Sequence, residues 1–282
     1  MNPADHDRVF QLWDELAAFP AAETDRAWRH LAESLGNWIG ADTSFWVGTV
    51  RLLHGAEAAN DIMQGWRVKV VTLLHPPTEE ELQAAQRALG NRQHDPGLTT
   101  IAAVRGSGVF RVHRLHDGFV DLEALRQTDY YRAHYVALGI TDQLWIASPI
   151  GPDAEAYFVF NRRHSEEHFT QQEAELAGFT LRGLSWFRRQ MFYSHGLLVA
   201  QEPLTPTQRD VLNLLLSGKP EKEIATLLNQ SFNTTHTHVK DIFRKYNVNS
   251  RAGLMAVWLS ASYPSPSRRT ATLARSNSDF HT

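Results

Sequence analysis

The sequence predicts an α+β N-terminal domain built on an antiparallel sheet, followed by an all-α domain of four helices. Segments with strand alternation and segments with helical periodicity both occur within residues 1–195. From residue 204 to residue 261 the periodicity is helical throughout. Residues 196–203 end in a proline and are predicted to link the two domains, and a length of 282 residues is compatible with two.

The elements of the N-terminal domain are predicted from the spacing of apolar residues and from capping signals. Apolar residues recur at three- and four-residue spacing over residues 1–40, which predicts helices there. Thr78 with Glu81, and Thr170 with Glu173, have the spacing of a capping box. Further helices are predicted at Thr78–Leu89, near Leu122–Leu138 and from Thr170 to about His195. Strands are predicted at Ser44–Leu53, Trp66–Leu74, Gly108–Leu115, Gln143–Ser148 and Ala156–Asn161.

The composition is that of a globular protein that can bury a core, with 43% hydrophobic and 21% charged residues. There is no cysteine, which excludes disulfides and thiolate zinc sites and fits a reducing compartment. No apolar run reaches the ~20 residues that span a membrane, and the N-terminus is acidic and amphipathic, unlike a signal peptide. We therefore expect a cytoplasmic protein.

Positive charge is concentrated at the C-terminal end of the chain, although the net charge of the whole is −3. Residues 202–261 contain seven Lys and Arg against five Asp and Glu, whereas residues 1–201 contain 18 against 25. Residues 262–282 contain three against one and are rich in Ser, Pro and Arg, which predicts a disordered tail. The C-terminal surplus favours a phosphate-facing surface there.

Four helices are predicted between residues 204 and 261. Thr205 and Pro206 form an N-cap followed by proline at the first helical position. The third helix, from about Phe232 to Tyr246, has apolar residues on one side and hydrogen-bonding residues opposite, namely Asn233, Thr237, Lys240, Asp241 and Arg244. Such a face suits a helix that lies in the major groove of DNA, or else an ordinary solvated surface. The other helices are predicted from Pro206 to about Ser217, at about Glu221–Leu228 and from about Ser250.

Residues 204–259 resemble the LuxR-type (GerE-like) DNA-binding domain over its whole length. The matching residues include Leu204, Thr205, Arg209, Val211, Leu212, Gly218, Lys222, Glu223, Ile224, Ala225, Leu228, Ser231, Thr234, Thr237, His238, Ile242, Phe243, Arg244, Lys245, Val248, Ser250 and Arg251. The resemblance implies a helix-turn-helix module whose third helix reads double-stranded DNA and whose fourth commonly forms a dimer contact. It therefore implies a homodimeric transcription regulator and no enzyme. The DNA contacts that it implies are Lys222, Ser231, Thr234, His236, Thr237, Lys240, Arg244 and Arg251.

Four positions depart from the LuxR-type pattern. His236 stands where the pattern usually has lysine, which removes a permanent positive charge. Thr235 replaces a usual valine, and Gln230 replaces an apolar residue. Asn247 replaces a usual glycine, and asparagine tolerates the left-handed backbone conformation that glycine would adopt there.

The N-terminal domain is predicted to be a sensor. The segment Val109–Ile150 and the stretch that follows it resemble GAF-like or PAS-like sensor domains of LuxR-type regulators. This resemblance implies a small-molecule effector or a protein partner, between which the sequence does not choose. Neither a phosphoacceptor cluster nor a GxxxxGK[ST] loop is found, which argues against a receiver domain and a nucleotide-hydrolysing regulator. The candidate pocket residues are Trp46, Trp66, Tyr131 and Trp145.

An alternative hypothesis is a metal-dependent hydrolase built on the histidines of the N-terminal domain. His164 and His168 fit an H-x-x-E-H pattern, which requires both rings on one helical face. The pattern lies between a predicted strand and the N-cap Thr170, so we expect no such helix. His113 and His116 are likewise expected to be solvated loop histidines. No metal, cofactor or catalytic residue is predicted, and a domain that only binds another protein stays open as a third class.

Overall fold

A five-stranded antiparallel sheet forms the centre of the N-terminal region, in the order β2-β1-β5-β4-β3. The computed structural model describes residues 2–75, 78–89, 96–198 and 203–260. The strands are β1 (Thr43–Arg51), β2 (Trp66–Leu73), β3 (Arg111–Arg114), β4 (Ile140–Gly151) and β5 (Ala154–Arg163). All five lie where strands were predicted, and with the helices around them they confirm the α+β class.

Four long helices cover one face of the sheet and form the main core with it. They contribute a continuous cluster of buried side chains that includes Trp28, Leu31, Phe187 and Phe192, packed on strand residues such as Phe158. These helices are α1 (Pro3–Ala17), α2 (Thr24–Ile39), α8 (Gln171–Arg182) and α9 (Ser185–Ser194), with a 3-10 turn at Ala21–Glu23. Burial of apolar area on this face is the main source of stability for the N-terminal region.

The opposite face of the sheet is covered by short helical segments, and here the predictions were partly wrong. The single helix predicted near Leu122–Leu138 is interrupted, because Thr128 accepts a hydrogen bond from the Tyr131 amide at 3.0 Å and so starts a new helix. The helix α5 was not predicted. The segments are α3 (Gly55–Ala59), α4 (Glu79–Leu89), α5 (Leu98–Arg105), α6 (Leu122–Arg126), α7 (Asp129–Tyr131) and a π-helix at Arg132–Val136.

The helix predicted from Thr170 to about His195 is two helices, α8 and α9, with a break at Gly183. Thr170 and Glu173 form the predicted capping box at its start. The Trp13 indole packs so closely on Gly183 that an added Cβ would lie 2.2 Å from its ring. The indole N–H also donates to the Thr180 carbonyl at 2.9 Å, so a side chain from α1 satisfies a helix-end acceptor.

Four helices form the C-terminal region, as predicted, around a separate core that includes Val211, Leu212, Ile224 and Ile242. Their bounds are α10 (Pro206–Leu216), α11 (Glu221–Leu227), α12 (Phe232–Lys245) and α13 (Arg251–Ser260). Thr205 caps α10 with Pro206 at its first position. No helix of the described residues is long and apolar enough to cross a membrane.

The two regions are in direct contact on both sides of the predicted linker. The Leu204 amide donates to the His195 carbonyl at 3.0 Å, and Leu197 packs in the core of the N-terminal region. Arg209 of α10 donates to both carboxylate oxygens of Asp25 at 2.6 Å. Residues 199–202 of the linker and the predicted tail 262–282 lie outside the described residues. The described start of the linker, residues 196–198, is therefore packed against the N-terminal region.

His195 is buried at this junction as a neutral ring. Its Nδ1 lies 2.8 Å from the Met191 carbonyl oxygen, which can only accept, and its ring meets Trp46 edge-on at 4.9 Å. Burial, and secondarily the charge of Arg209, lower the pKa of His195 from the usual 6.5 to about 4. Because the folded-state pKa is depressed, the unfolded chain binds the proton more readily. Stability from this group is complete above pH 6.5 and is lost as the pH falls towards 4.

We predict that His195→Asn flattens the acid side of the stability profile, because the amide can still donate to the Met191 carbonyl but binds no proton. The wild type should lose up to about 1 kcal/mol of unfolding free energy per pH unit from this group between pH 6.5 and 4. Urea denaturation at a series of pH values measures the slope. The control is His54→Asn, whose side chain is 59% exposed. An unchanged slope in His195→Asn would contradict the assignment.

Candidate functional site

The helices α11 and α12 are joined by a tight turn whose backbone geometry sets their relative orientation. Asn229 adopts a left-handed conformation with φ of 52°, which asparagine tolerates. The Gln230 amide donates to the Ala225 carbonyl at 2.8 Å and closes the end of α11. Ser231 then starts α12 by accepting from the Thr234 amide at 3.1 Å. The result is a helix-turn-helix unit with α12 as its second helix.

The face of α12 that points away from the core is exposed and polar. Thr235, Val239 and Ile242 are buried on the inner side. The residues Asn233, Thr237, Lys240 and Arg244 are exposed on the outer side. Arg244 donates to Asp241 at 2.8 Å, one turn back along the helix, whereas no ion pair in the described part of the chain involves Lys240. A helix with these donors and an open outer side can enter the major groove of DNA.

Several of the predicted DNA contacts make hydrogen bonds within their own domain. His236 pairs through Nδ1 with Glu221 at 2.8 Å and lies parallel to the Phe232 ring, at the edge of the exposed face. Arg251 donates to the carbonyls of Gly218 and Lys219, so it holds the turn between α10 and α11. The Thr234 hydroxyl lies 2.8 Å from that of Ser231. Thr237, Lys240 and Arg244 share the outer face of α12, and Lys222 is exposed on α11.

Two departures from the LuxR-type pattern compensate each other. The Thr235 hydroxyl, on a residue with no exposed surface, donates to the Gln230 side-chain oxygen at 3.2 Å. A hydroxyl at this buried position needs a partner, and the glutamine in the turn supplies it. Asn247, the third departure, adopts φ of 52°, as the sequence predicts. The unusual residues therefore preserve the geometry of the helix-turn-helix unit.

A cavity of about 620 Å³ lies in the N-terminal region, between the sheet and the short helices. Strand β1 turns Phe45, Val47 and Thr49 towards it, and the neighbouring strands contribute Trp145 and Val159. Apolar side chains form most of its wall. Its volume is within the range of pockets that hold drug-sized molecules.

A chain of hydrogen bonds between uncharged side chains crosses one wall of the cavity. Tyr135 donates to Gln143 at 2.9 Å, Gln143 donates to Asn161 at 2.6 Å, and Asn161 donates to Thr43 at 3.1 Å. Burial raises the pKa of the Tyr135 phenol well above its usual value, so the phenol stays neutral. An ion pair between Arg163 and Glu81 also borders the cavity. No sequence pattern predicted this chain of hydrogen bonds, although Gln143 and Asn161 are polar residues inside otherwise apolar strands.

Of the four predicted pocket aromatics, only Trp145 lines this cavity. Trp46 is directed to the opposite face of the sheet, where it packs in the main core, because its neighbours Phe45 and Val47 take the cavity side. Trp66 is buried in a small cluster with Met63 and Val104. Tyr131 stacks on Tyr135 with 5.0 Å between ring centroids, behind the cavity wall. Trp46, Trp66 and Tyr131 therefore lie outside the lining of this cavity.

The histidines of the N-terminal region do not form the predicted alternative, a zinc-peptidase helix. Residues 164–170 contain no helix, and His164 has φ of 51°. His116, His164 and His168 are exposed and lie outside helices and strands, as predicted, whereas His113 lies in β3 and is half-buried, which corrects the prediction for that residue. His113 stacks on Phe119 with 4.2 Å between centroids, and burial lowers its pKa. His116 and His168 both lie against the buried carboxylate of Asp142.

The C-terminal region matches a known family of bacterial regulators. Residues 202–258 match the family described as "Bacterial regulatory proteins, luxR family" (GerE). These residues are a LuxR-type domain. The matched segment corresponds to the helix-turn-helix unit and its flanking helices, as the sequence resemblance predicted.

Curated relatives share this domain alone. The transcriptional regulatory protein MctR of Rhizobium johnstonii is 41% identical over 54 residues, which are 19% of this chain and 25% of MctR. The nitrate/nitrite response regulator protein NarL of Escherichia coli K12 is 41% identical over 56 residues, 20% of this chain and 26% of NarL. The chain thus spans about a quarter of the length of the curated relatives that it matches.

Solved structures align loosely with nearly the whole chain. SdiA in complex with octanoyl-rac-glycerol covers 93% of this chain and 96% of its own, at 17% sequence identity and a TM-score of 0.46.

We predict that the hydrogen bond between Gln230 and Thr235 appears as coupling in a double-mutant cycle. Gln230→Leu leaves a buried hydroxyl without its partner and should cost about 1 kcal/mol of unfolding free energy or more. Thr235→Val should also destabilise the chain, while the double variant should recover most of the loss. Denaturant unfolding of the four proteins measures the coupling. Simple additivity of the two single effects would show that the pair does not interact.

Proposed function

We propose that this protein is a sequence-specific regulator of transcription that binds double-stranded DNA. The observation that carries the proposal is the exposed outer face of α12, the second helix of the helix-turn-helix unit, within the LuxR-type domain. Polar side chains on such a face can reach base edges, and Lys240 supplies a cation with no partner among the described residues. Residues of the N-terminal region leave this face open.

We further propose that three successive segments of the chain have different functions. Residues 1–195 form the sensor domain, 196–203 the linker and 204–261 the DNA-binding domain. Two copies bind together as a homodimer, with α13 as the contact that the family resemblance suggests, and this helix exposes Met255 and Leu259. A two-fold dimer presents two copies of α12 to half-sites about one helical turn apart. The cytoplasm is the compartment in which such a regulator meets DNA.

The sensor domain, we propose, responds to a small molecule that is uncharged and mostly apolar. The cavity supports this over a domain that only receives a protein, because it lies between the sheet and the short helices and is lined mostly by apolar side chains. Its hydrogen-bonding wall, from Tyr135 to Thr43, is made of neutral groups and can orient a polar end of the ligand. A GAF-like or PAS-like class for this domain remains a prediction. No catalytic set is proposed.

We predict that Lys240→Ala weakens DNA binding and relaxes its sequence preference, because Lys240 lies on the outer face of α12. The binding site is first selected by the full chain from a random duplex library, and an inverted repeat is expected. Gel-shift titration should then show a loss of about tenfold or more, since a base contact contributes about 1–3 kcal/mol.

The matched control for this experiment is Arg132→Ala, which removes one positive charge from an exposed side chain of the N-terminal region. It should bind DNA as the wild type does, because a general charge effect is small so far from the interface. Equal affinity of Lys240→Ala and wild type for the selected site would refute the placement of α12 in the groove. Failure to select any sequence would refute the proposed function itself.

We predict that filling the cavity abolishes ligand binding there. Ala103 on α5 lines the cavity, and Ala103→Phe places a ring in its space. The probe is N-phenylnaphthylamine, an uncharged aromatic dye that fluoresces in apolar surroundings. Its affinity for the full chain should fall about tenfold or more as the enclosed volume is lost. The control is Ala102→Phe, at the adjacent α5 position outside the lining; equal binding by all three proteins would show that the dye sits elsewhere.

A further inference from the structure

The side chains of His116, Asp142 and His168 come together at the end of the sheet that is shared by β3 and β4. His116 follows β3, Asp142 lies near the start of β4, and His168 lies in the segment between β5 and α8. His116 Nδ1 is 3.0 Å from Asp142 Oδ1, and His168 Nδ1 is 3.8 Å from Asp142 Oδ2. One ligand-type atom from each residue lies within 4.8 Å of the other two. The three come from distant parts of the chain.

The carboxylate of Asp142 is fully buried and held in a fixed orientation. Its Oδ1 accepts from the Gln143 amide at 2.8 Å and its Oδ2 from the Phe169 amide at 2.6 Å. Within the described part of the chain, its ion-pair partners are the two histidines and no lysine or arginine. A buried carboxylate without a permanent cation is costly unless another positive charge is supplied. The geometry therefore leaves a place for a cation on the outer side of Asp142.

The two imidazole rings lie side by side next to the carboxylate of Asp142. Their centroids are 3.7 Å apart and their planes differ by 26°. Histidine is a common metal ligand, and both side chains are partly solvent-accessible, at 23% and 50% exposure, so an ion can reach them.

The segment that carries His168 is fixed by contacts that do not involve its ring. Arg162 donates to the His168 carbonyl at 2.8 Å, and Arg114 donates to the Phe169 carbonyl at 3.1 Å. Arg162 is paired with Glu173 at 2.7 Å, which offsets its charge near the cluster. These backbone contacts hold the imidazole in place without occupying its nitrogens. The arrangement is thus preorganised for a ligand.

We propose that His116, Asp142 and His168 bind one divalent transition-metal ion. Two imidazoles and one carboxylate are donors that Zn²⁺, Ni²⁺, Cu²⁺ and Fe²⁺ accept, and water completes the coordination. Small side-chain rotations bring the three atoms to the ligand–metal distances of about 2.0–2.2 Å that zinc requires. The ion joins the end of β3, the start of β4 and the segment before α8, so it stabilises this end of the sensor domain.

The test is a titration of the chelator-treated full chain with Zn²⁺ by calorimetry, at neutral pH. The wild type should bind one equivalent tightly, whereas His116→Gln/His168→Gln should bind that equivalent at least tenfold more weakly. Zn²⁺ should raise the melting temperature of the wild type and not that of the double variant, because only the wild type links the three segments. Co²⁺ should give visible d–d absorption in the wild type alone.

The control is His164→Gln, an exposed histidine of the same segment outside the cluster, which should behave as the wild type does. The chain has 14 histidines, so weak binding elsewhere is expected and the comparison between variants decides. Both substituted rings are partly exposed, and circular dichroism checks that the double variant folds. Equal affinity, stoichiometry and thermal response of wild type and double variant would overturn the proposal. This result is independent of DNA binding.

Discussion

The central sheet is apolar on both faces, and much of the molecule follows from the need to cover each of them. Strand β1 shows the constraint: Trp46 packs among the long helices on one side, while Phe45 and Val47 face the other. A strand buried on both faces cannot leave either to water without losing about 25 cal/mol per Å² of apolar area. The long helices α2 and α9 close one face with a dense core. The short segments opposite cannot fill their side, and the cavity remains there.

The same strand places the cavity next to the DNA-binding domain. Gly48 of β1 is approached so closely by the Leu197 side chain that an added Cβ would lie 2.5 Å from it, and His195 meets Trp46 edge-on. Leu197 and His195 follow α9 directly, and the LuxR-type domain is attached to His195 through the Leu204 amide. The backbone of β1 therefore separates the cavity-lining side chains on one of its faces from His195 and Leu197 on the other. Close-packed interiors transmit small displacements, so β1 is a physical connection between the cavity wall and the junction.

Local signals in the sequence predicted the elements that local physics determines. The capping pairs Thr78–Glu81 and Thr170–Glu173 form the predicted hydrogen bonds, and Thr205 begins its helix as expected. Elements determined by distant contacts were missed. The break at Gly183 depends on Trp13, some 170 residues away in the sequence. Helix α5 begins after Gly97, and glycine has no side chain that could cap the helix. No capping pair in the sequence therefore predicted where α5 starts.

The candidate sites show the same division between local and distant determinants. The exposed face of α12 followed from helical periodicity alone. Pocket residues could not be assigned in this way, because β1 and β5 carry apolar residues at successive positions and alternation does not tell which face is which. Trp46 and Trp145 are both tryptophans on strands of the sheet, but Trp46 faces the main core and Trp145 faces the cavity. The cluster at Asp142 combines residues 26 positions apart on either side, a separation that matches no local ligand motif.

The distribution of charge in the LuxR-type domain explains how a chain of net charge −3 can still favour DNA at one face. Several cations are engaged internally: Arg209 with Asp25, Lys245 with the Pro203 carbonyl, and Arg251 with carbonyls of the α10–α11 turn. These bonds orient α12 and attach its domain to the N-terminal region, and the cations that form them are less available to pair with phosphate. Lys222 and Lys240 remain exposed, without ion pairs among the described residues. With few cations left unpaired in the described part of the domain, the outer face of α12 offers mainly uncharged hydrogen-bonding side chains, a type of group that can contact base edges as well as phosphate.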